Sequence, residues 1–558
     1  MSYQENFKIE YINAGFKSGY PEKRDCFVAV RNYVTDKSKQ SKICALYGIR
    51  RTGKTVLMQQ VIESLSDDDK SKTILITCNE DTDIHDVIVF VDEKIKNGYK
   101  YFFIDEITYA KDFQKIGEIF SDNFVNFHNA RVVVTGTDSL GLSLPSHSIL
   151  YDRILFVPTT FTTYPEYSRI MNCNSFDDYI VRGTTFYPQT YENIDTTRKY
   201  VETSIVRNLI NSIEKSEGRN NFQPELTELY DNEELETAIQ LMVNKYNKQL
   251  ILKSLKTTFE SGILSRGIDV AGKNDASFFG NVDKNQINKN LSKLLRIVEP
   301  ENIKTSLTKK HLEEINELLS EMDILKIIPV VSNFKDSEIS EPMKIIAHPG
   351  MYHANLKYTL EELRENANWV PGSSDDQKNF LIKKVYEVAV GDLMENFIIA
   401  NVNEILNKSK IVSKTDLFME SSGRWFVSKY EMKDSQKRSH ESDLIIFDKQ
   451  KKETFLFEIK HSKENVPEQS KHLKNKEFLE TVEKSFGKVK FEAVLYNGKS
   501  DFSTKIPRLS AVDFLNVLYE LEKENKMEIT KVVEVIKQSC PMNVRKIKTR
   551  DDDYGMGR

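Results

Sequence analysis

The sequence predicts a multidomain α/β protein. It reads as a parallel sheet covered by helices, then a helical region ending in a winged helix, then a smaller α/β domain. Three observations carry this. Short apolar runs at Ile43–Tyr47, Thr73–Thr77, Tyr101–Ile104 and Arg131–Thr135 alternate with helical periodicity, as strands buried on both faces of a parallel sheet do. From about residue 195 to 330 the pattern is helical, charged and poor in glycine. Beyond the polar stretch "NANWVPGSSDDQKN" two apolar runs flank a charged turn, as in a hairpin. With 558 residues the chain exceeds one hydrophobic core.

The first strand runs into Gly48-Ile49-Arg50-Arg51-Thr52-Gly53-Lys54-Thr55, which obeys G-x-x-x-x-G-K-T and is followed by apolar residues at helical spacing. This strand–loop–helix is what a phosphate loop requires, so the sheet reads as that of a P-loop NTPase. Glycines let backbone N–H groups turn inward, and the helix presents its positive end to the phosphates. Lys54 would neutralise the β and γ phosphates of ATP, and Thr55 would offer its hydroxyl to Mg²⁺. The bland alternative is a turn with a surface lysine. Asp105-Glu106 closes the strand "YFFID" about 50 residues on. Asp105 would hold Mg²⁺ and Glu106 would polarise the attacking water. Thr135, at the tip of the next strand, is a candidate γ-phosphate sensor or an ordinary strand-ending residue.

These motifs, with "VVVTGTDSL" and "YDRILFVPTTFTTYPEY", resemble prokaryotic AAA-type ATPases related to the origin-recognition and STAND groups, which carry a C-terminal domain related to the PD-(D/E)XK nuclease fold. Members usually show Gly-Arg, a short gap, then Pro-x-Ser-Phe-x-Glu. Arg153, Pro158 and Phe161 match, and Glu166 is the candidate for the acid. Asp152 replaces the glycine, and two residues are added around Tyr164-Pro165. The resemblance implies an ATP-binding switch, with homo-oligomerisation as an open expectation. It makes Arg153 a candidate γ-phosphate contact from its own or a neighbouring subunit. The competing role for Arg153 is a surface ion pair with Asp152 or another acid.

In the middle region, "TTRKYVETSIVRNLINSIEK" places Val201, Ile205, Leu209 and Ile213 on one helix face, and "VDKNQINKNLSKLLRIV" is a further helix. Thr308 caps "KKHLEEINELLSEM", whose stripe is Leu312, Ile315, Leu319 and Met322. "ILKIIPVVS" and "PMKIIAH" then form a two-stranded ribbon. A helix followed by a ribbon reads as a winged helix, which binds DNA or serves as a spacer.

In the C-terminal part, "FLIKKVYEVAVGDLMENFIIANVNEIL" predicts a long helix, broken near Gly391 and carrying Glu395. Folding "ESDLIIFDKQKKETFLFEIKHS" about Gln450 and Lys451 puts Asp443 opposite Glu458. Alternation then sets Lys460 on the face of Glu458. This is the D…ExK arrangement: Asp443 and Glu458 would hold Mg²⁺, and Lys460 would orient water or steady a phosphorane. Glu395 would be a helix-borne acid beside them, and Ser442 stands where a proline is usual. The alternative is a structural carboxylate–lysine cluster. "FEAVLYNG" supplies another strand.

The domain boundaries follow: 1–195 ATPase domain, 196–365 helical and winged-helix region, 366–379 linker, 380–510 nuclease-like domain, 511–558 helical and disordered tail. The net charge of −5 gives no global attraction to nucleic acid, so contact with DNA or RNA needs a local basic surface. The five cysteines form no CxxC pair, which argues for a reducing cytoplasm. No secretory leader or membrane span is expected. Two functions remain open: an ATP-gated nuclease in defence or genome maintenance, and an ATP switch whose last domain only binds a partner.

Overall fold

In the computed structural model, residues 6–38, 41–111, 119–136, 153–187, 224–239, 308–332, 342–365, 374–407, 423–433, 439–462 and 472–540 are described, without 236 and 322 but with 113 and scattered positions between 193 and 210. The N-terminal sheet comprises β1 (Lys8–Tyr11), β2 (Ile43–Tyr47), β3 (Thr73–Thr77), β4 (Tyr101–Asp105), β5 (Arg131–Gly136) and β6 (Ile154–Pro158), in the order β1-β3-β4-β5-β2-β6. All neighbours are parallel except β1, which runs antiparallel to β3. The four expected strands are its centre. The edge strands β1 and β6 were not anticipated.

Two-sided burial explains the unbroken apolar runs. Ile43, Ala45, Tyr47, Phe102, Ile104, Val132 and Val134 face one core. Cys44, Leu46, Phe103 and Val133 face the other. This is the alternation a pleated strand imposes. Helices α1 (Phe27–Thr35) and α2 (Lys54–Glu63) cover one face, and α3 (Ile84–Lys96) covers the other.

Two short helices follow, α4 (Tyr164–Met171) and α5 (Phe176–Arg182), then α6 (Pro224–Asp231) and α7 (Lys309–Glu321). Thr308 caps α7 as expected, its Oγ1 accepting the His311 N–H. Leu312, Ile315 and Leu319 are buried. Of the stripe Val201, Ile205, Leu209 and Ile213 only Ile205 is described, and it is buried. Met322, the helix expected at 282–298 and residues 541–558 lie outside the described residues.

The expected ribbon forms from β7 (Leu325–Ile328) and antiparallel β9 (Met343–Ile346). The run "ILKIIPVVS", however, serves two sheets. Past Pro329 it continues as β8 (Val330–Ser332), which joins the C-terminal sheet parallel to β10 (Trp425–Lys433). Proline cannot donate to a ladder, so the chain changes partners there.

Between them lie α8 (Pro349–Glu365) and α9 (Asp375–Asn407). Helix α9 departs from expectation twice. It takes in residues 375–379, which the sequence assigned to a linker, and it passes Gly391 unbroken. Ala389, Val390, Leu393, Met394 and Phe397 are buried around that glycine, and their packing outweighs the glycine penalty of about 1 kcal/mol.

The C-terminal sheet adds β11 (Ser439–Asp448), β12 (Glu453–Lys460), β13 (Lys488–Tyr496) and β14 (Arg508–Ser510), in the order β14-β13-β12-β11-β10-β8. Helix α10 (Lys476–Phe486) covers one face through Phe478, Val482 and Phe486. Helices α9, α11 (Ala511–Lys523) and α12 (Ile529–Ser539) share the core on the other face. Residues 511–539 are therefore two packed helices, where the sequence reading placed the start of a tail. Phe161, Tyr164, Phe176 and Tyr179 join that same core from the N-terminal half.

A Cβ at Gly391 would meet only His461 Cβ, at 3.8 Å. Gly391→Ala is therefore expected to stabilise the protein by about 0.5–1 kcal/mol. Urea unfolding would measure this, and a loss of stability would show that α9 needs the glycine.

Candidate functional site

The phosphate loop leaves the C-terminal end of β2 and enters α2. Gly48 (φ +140°) and Gly53 (φ +84°) adopt left-handed backbone. A Cβ at Gly48 would come within 2.7 Å of both Thr159 Oγ1 and Thr160 Oγ1, so no other residue fits there. Lys54 is buried, and its Nζ donates to the carbonyls of Gly48 (2.7 Å) and Ile49 (2.9 Å). Burial lowers its pKa to about 8, although the charges of Glu106 and Asp105 pull upward.

The middle of the loop offers backbone rather than side chains. Ile49 packs into the core, and Thr52 Oγ1 donates to the Ile49 carbonyl. Arg50 bonds the Tyr109 hydroxyl. Arg51 lies over the rings of Tyr187 (4.7 Å) and Tyr200 (5.3 Å).

Parallel strands bring the next residues to the same sheet edge. Asp105 ends β4 and Thr135 lies near the end of β5. Asp105 Oδ2 accepts from Thr55 Oγ1 at 2.9 Å, and its other oxygen accepts from Thr135 Oγ1. Thr135 Oγ1 also accepts the Glu106 N–H at 3.0 Å. Thr135 thus donates to Asp105 and accepts from Glu106, tying the two acids to the end of β5. Burial raises the Asp105 pKa against the hydrogen bonds from Thr135 and Thr55. Glu106 sits at φ +55°, left-handed backbone that costs a non-glycine residue about 1–2 kcal/mol. Such strain is found where a side chain must be aimed. The hard oxygens of Thr55 and Asp105 suit Mg²⁺, and the loop amides with Lys54 suit a phosphate chain.

Arg153 is placed elsewhere. Ile43 pairs with Ile154 and Tyr47 with Pro158, so Arg153 stands at the opposite end of the sheet from the loop. Five residues of strand put it about 16 Å away. Its guanidinium pairs with Asp122 at 3.1 Å. Within one chain it does not reach the phosphate site.

The sequence reading missed Arg24. This buried arginine donates to the carbonyls of Thr52 (2.6 Å), Thr159 (3.1 Å) and Phe161 (3.2 Å), and pairs with buried Glu166. Glu166 was noted as the candidate acid. The available signal was a glutamate among the apolar and aromatic residues of "TTYPEY", which demands a buried cation.

The second cluster lies on the C-terminal sheet. The ladder pairs Leu444 with Phe457, as symmetric folding predicts, so Asp443 falls beside Glu458. The register of β10 with β11 slips between Ser428↔Ile445 and Tyr430↔Ser442, so Asp443 and Leu444 together oppose Lys429. A bulge of this kind re-aims a side chain. Asp443 Oδ2 accepts the Ile459 N–H (2.7 Å) and Lys460 Nζ (3.0 Å), and Lys460 Nζ lies 3.1 Å from Glu458 Oε2. Glu395 of α9 pairs with Lys429, a lysine the sequence reading overlooked although a charge inside "WFVSKYEMK" marks it.

Burial pushes Asp443 upward, but Lys460, Lys429 and the Ile459 N–H together hold it below its ordinary value. Glu458 goes the other way, to about 8, through burial and the charge of Asp443. Its Oε1 is buried without a hydrogen-bond partner among the described residues. A cation between the two acids would satisfy that oxygen, so the donor set fits Mg²⁺.

Residues 40–168 match the family model described as an AAA domain. The chain carries an AAA-type domain. That match spans the phosphate loop, Asp105, Glu106, Thr135 and Glu166. No curated protein matches the chain. Among solved structures it is similar to the Walker-type ATPase PABY2304 of Pyrococcus abyssi, at 13% identity over 60% of this chain and 98% of that one, with a TM-score of 0.27. It is also similar to the Hsp104–ADP complex of S. cerevisiae, at 11% identity over 70% of this chain and 55% of that one, with a TM-score of 0.23. No helix among the described residues is long and apolar enough to cross a membrane.

Two outcomes follow. Glu166→Gln leaves the buried Arg24 charge uncompensated and should cost about 3–5 kcal/mol in chemical unfolding; a loss below 1 kcal/mol would show that the pair is not holding the loop. Second, ATP needs charged Lys54. Below about pH 8 the lysine is already protonated. Above that, binding must take up a proton, so the Kd for ATP should rise by up to tenfold per pH unit. Calorimetry between pH 7 and 9.5 reads this, and a flat profile would remove Lys54 from the contact.

Proposed function

We propose that this chain binds and hydrolyses ATP with Mg²⁺ and couples that cycle to a nuclease-like C-terminal domain acting on DNA or RNA, in defence or genome maintenance. The observation that carries the reading is the convergence of Lys54, Thr55, Asp105, Glu106 and Thr135 at one edge of a parallel sheet. In this reading Lys54 and the loop amides hold the phosphates. Thr55 and Asp105 carry the ion, and Glu106 orients the attacking water. Mg²⁺ would supply charge neutralisation at the β and γ oxygens.

The nuclease part rests on Asp443, Glu458 and Lys460, with the orphaned Glu458 Oε1 favouring a bound cation. Lys460 would then face the phosphate of a nucleic acid. Helix α7 with its ribbon is the candidate winged helix for DNA contact. The position of Arg153 leaves it a γ-phosphate role only from a neighbouring subunit of a homo-oligomer. A reducing cytoplasm suits the free cysteines among the described residues.

One observation favours the second reading, an ATP switch that only binds a partner. Lys460 already bridges both acids, at 3.0 and 3.1 Å. A closed triad of this kind is stable without metal.

The deciding experiment is ATP turnover by purified protein with and without DNA and RNA, with the nucleic acid then run on a gel. Glu106→Gln should still bind ATP and turn over about 10²-fold more slowly or worse. Asp443→Ala with Glu458→Ala should abolish Mg²⁺-dependent cleavage and spare ATP turnover. Parental turnover in Glu106→Gln would assign the water to another residue. No cleavage by the parent with any polymer would favour the switch.

A further inference from the structure

Outside both sites, helices α6 and α7 bring together Glu225, Glu228 and His311, whose candidate ligand atoms all lie within 4.8 Å of one another. The glutamates are three residues apart and share one face of α6. Glu314 of α7 accepts the Leu226 N–H at 3.0 Å and seats α6 on its neighbour. His311 belongs to the first turn of α7, and its side chain is 1% exposed.

The geometry around His311 Nε2 is informative. This buried nitrogen has no hydrogen-bond partner among the described residues. It faces Glu225 Oε2 at 3.4 Å and Glu228 Oε2 at 3.5 Å. Both separations exceed the hydrogen-bond range of about 2.7–3.2 Å. They match the ligand–ligand edge of a tetrahedral zinc site, about 3.3–3.5 Å for bonds of about 2.0–2.1 Å. Two carboxylates facing one buried ring nitrogen at that spacing call for a cation between them.

We propose that Glu225, Glu228 and His311 form a site for a divalent transition metal of the zinc class, which clamps α6 to α7. The imidazole selects against Mg²⁺, which prefers oxygen donors, and so separates this site from the two Mg²⁺ candidates. Glu228, with 58% of its side chain exposed, forms the open rim through which the ion enters. Thr308 completes the arrangement. Without metal, its N–H donates to His311 Nδ1 at 2.9 Å, which keeps the ring proton on Nε2. Metal capture moves that proton to Nδ1, where Thr308 Oγ1 at 3.1 Å accepts it. The Thr308 N–H is then left to water at an exposed position. Lys310 Nζ, 3.8 Å from Glu225 Oε1 and on a well-exposed side chain, is too loosely held to compete.

The test uses the full chain, stripped of metal by a chelator and kept in millimolar Mg²⁺ without nucleotide. Zn²⁺ is titrated by calorimetry and Co²⁺ by visible absorption. The parent should take up metal with an intense tetrahedral cobalt spectrum and a raised Tm. His311→Ala should lose the spectrum. Because that buried position also affects folding, Glu228→Gln serves as the conservative arm. It keeps the side-chain shape at an exposed position and should weaken Zn²⁺ binding at least about tenfold, as loss of a ligand group does. Asp443→Ala with Glu458→Ala should leave the cobalt spectrum in place. Zn²⁺ affinity unchanged in Glu228→Gln would overturn the proposal, and so would a parent without a tetrahedral cobalt spectrum. The second result would leave His311 as a ring held between two carboxylates.

Discussion

The buried pair of Arg24 and Glu166 is the constraint on which the N-terminal half depends. Taking both charges out of water is costly, and only a full set of hydrogen bonds offsets it. Arg24 meets that demand with three carbonyls beyond its carboxylate partner, while Glu166 also accepts the Asp25 N–H at 2.9 Å. Those carbonyls belong to the phosphate loop and to the segment after β6. The pair therefore fixes the loop against its own sheet and carries α4 with it. At the start of α4 the Tyr164 N–H donates to Asn401 of α9, the helix that bears Glu395. Loop and distant carboxylate cluster are built on one frame.

The two clusters use lysine in opposite surroundings. Lys54 rests on carbonyl oxygens, and burial lowers its pKa. Lys460 rests on two carboxylates, which raise its pKa well above the ordinary value. A phosphate chain arriving at the first gives Lys54 a full counter-charge that carbonyls cannot. A cation arriving at the second must displace a lysine that is already well satisfied. Affinity for phosphate at the loop is thus favoured by its resting electrostatics, while affinity for metal at the carboxylates is opposed by theirs.

Much of this was readable because burial writes itself into sequence. Central strands packed on both faces are continuous apolar runs, and Asp105 and Thr135 follow from where those runs stop. The hairpin register was readable because a short charged turn leaves few ways to fold. The bulge that sets Asp443 against Lys429 was not, since counting by twos cannot see an extra residue whose partner lies on another strand. Arg24 was missed for a related reason: Glu166 announces a buried cation, but the one that answers it is 142 residues away. For Arg153 the alternative of a surface ion pair is the one seen within the chain, with Asp122, because a motif position does not say which end of a strand it occupies. Pro329 did announce a break within "ILKIIPVVS", but proline marks where pairing stops, not which sheet takes up the chain next.

The contacts that close the molecule also set an order of assembly. Tyr519 of α11 donates to Asp25 at 2.5 Å, and Asn497 donates to Asp177 at 2.9 Å, across 494 and 320 residues. At translation speeds of about 5–20 residues per second, Asp25 waits about 25–100 s for its partner to be made. Until α8 and α9 have been made, the aromatic faces of α4 and α5 lack the helices that share their core. The nascent chain therefore carries an uncovered apolar surface from the completion of α5 until α9 is made, and that is the stretch of synthesis in which shielding by a chaperone would count.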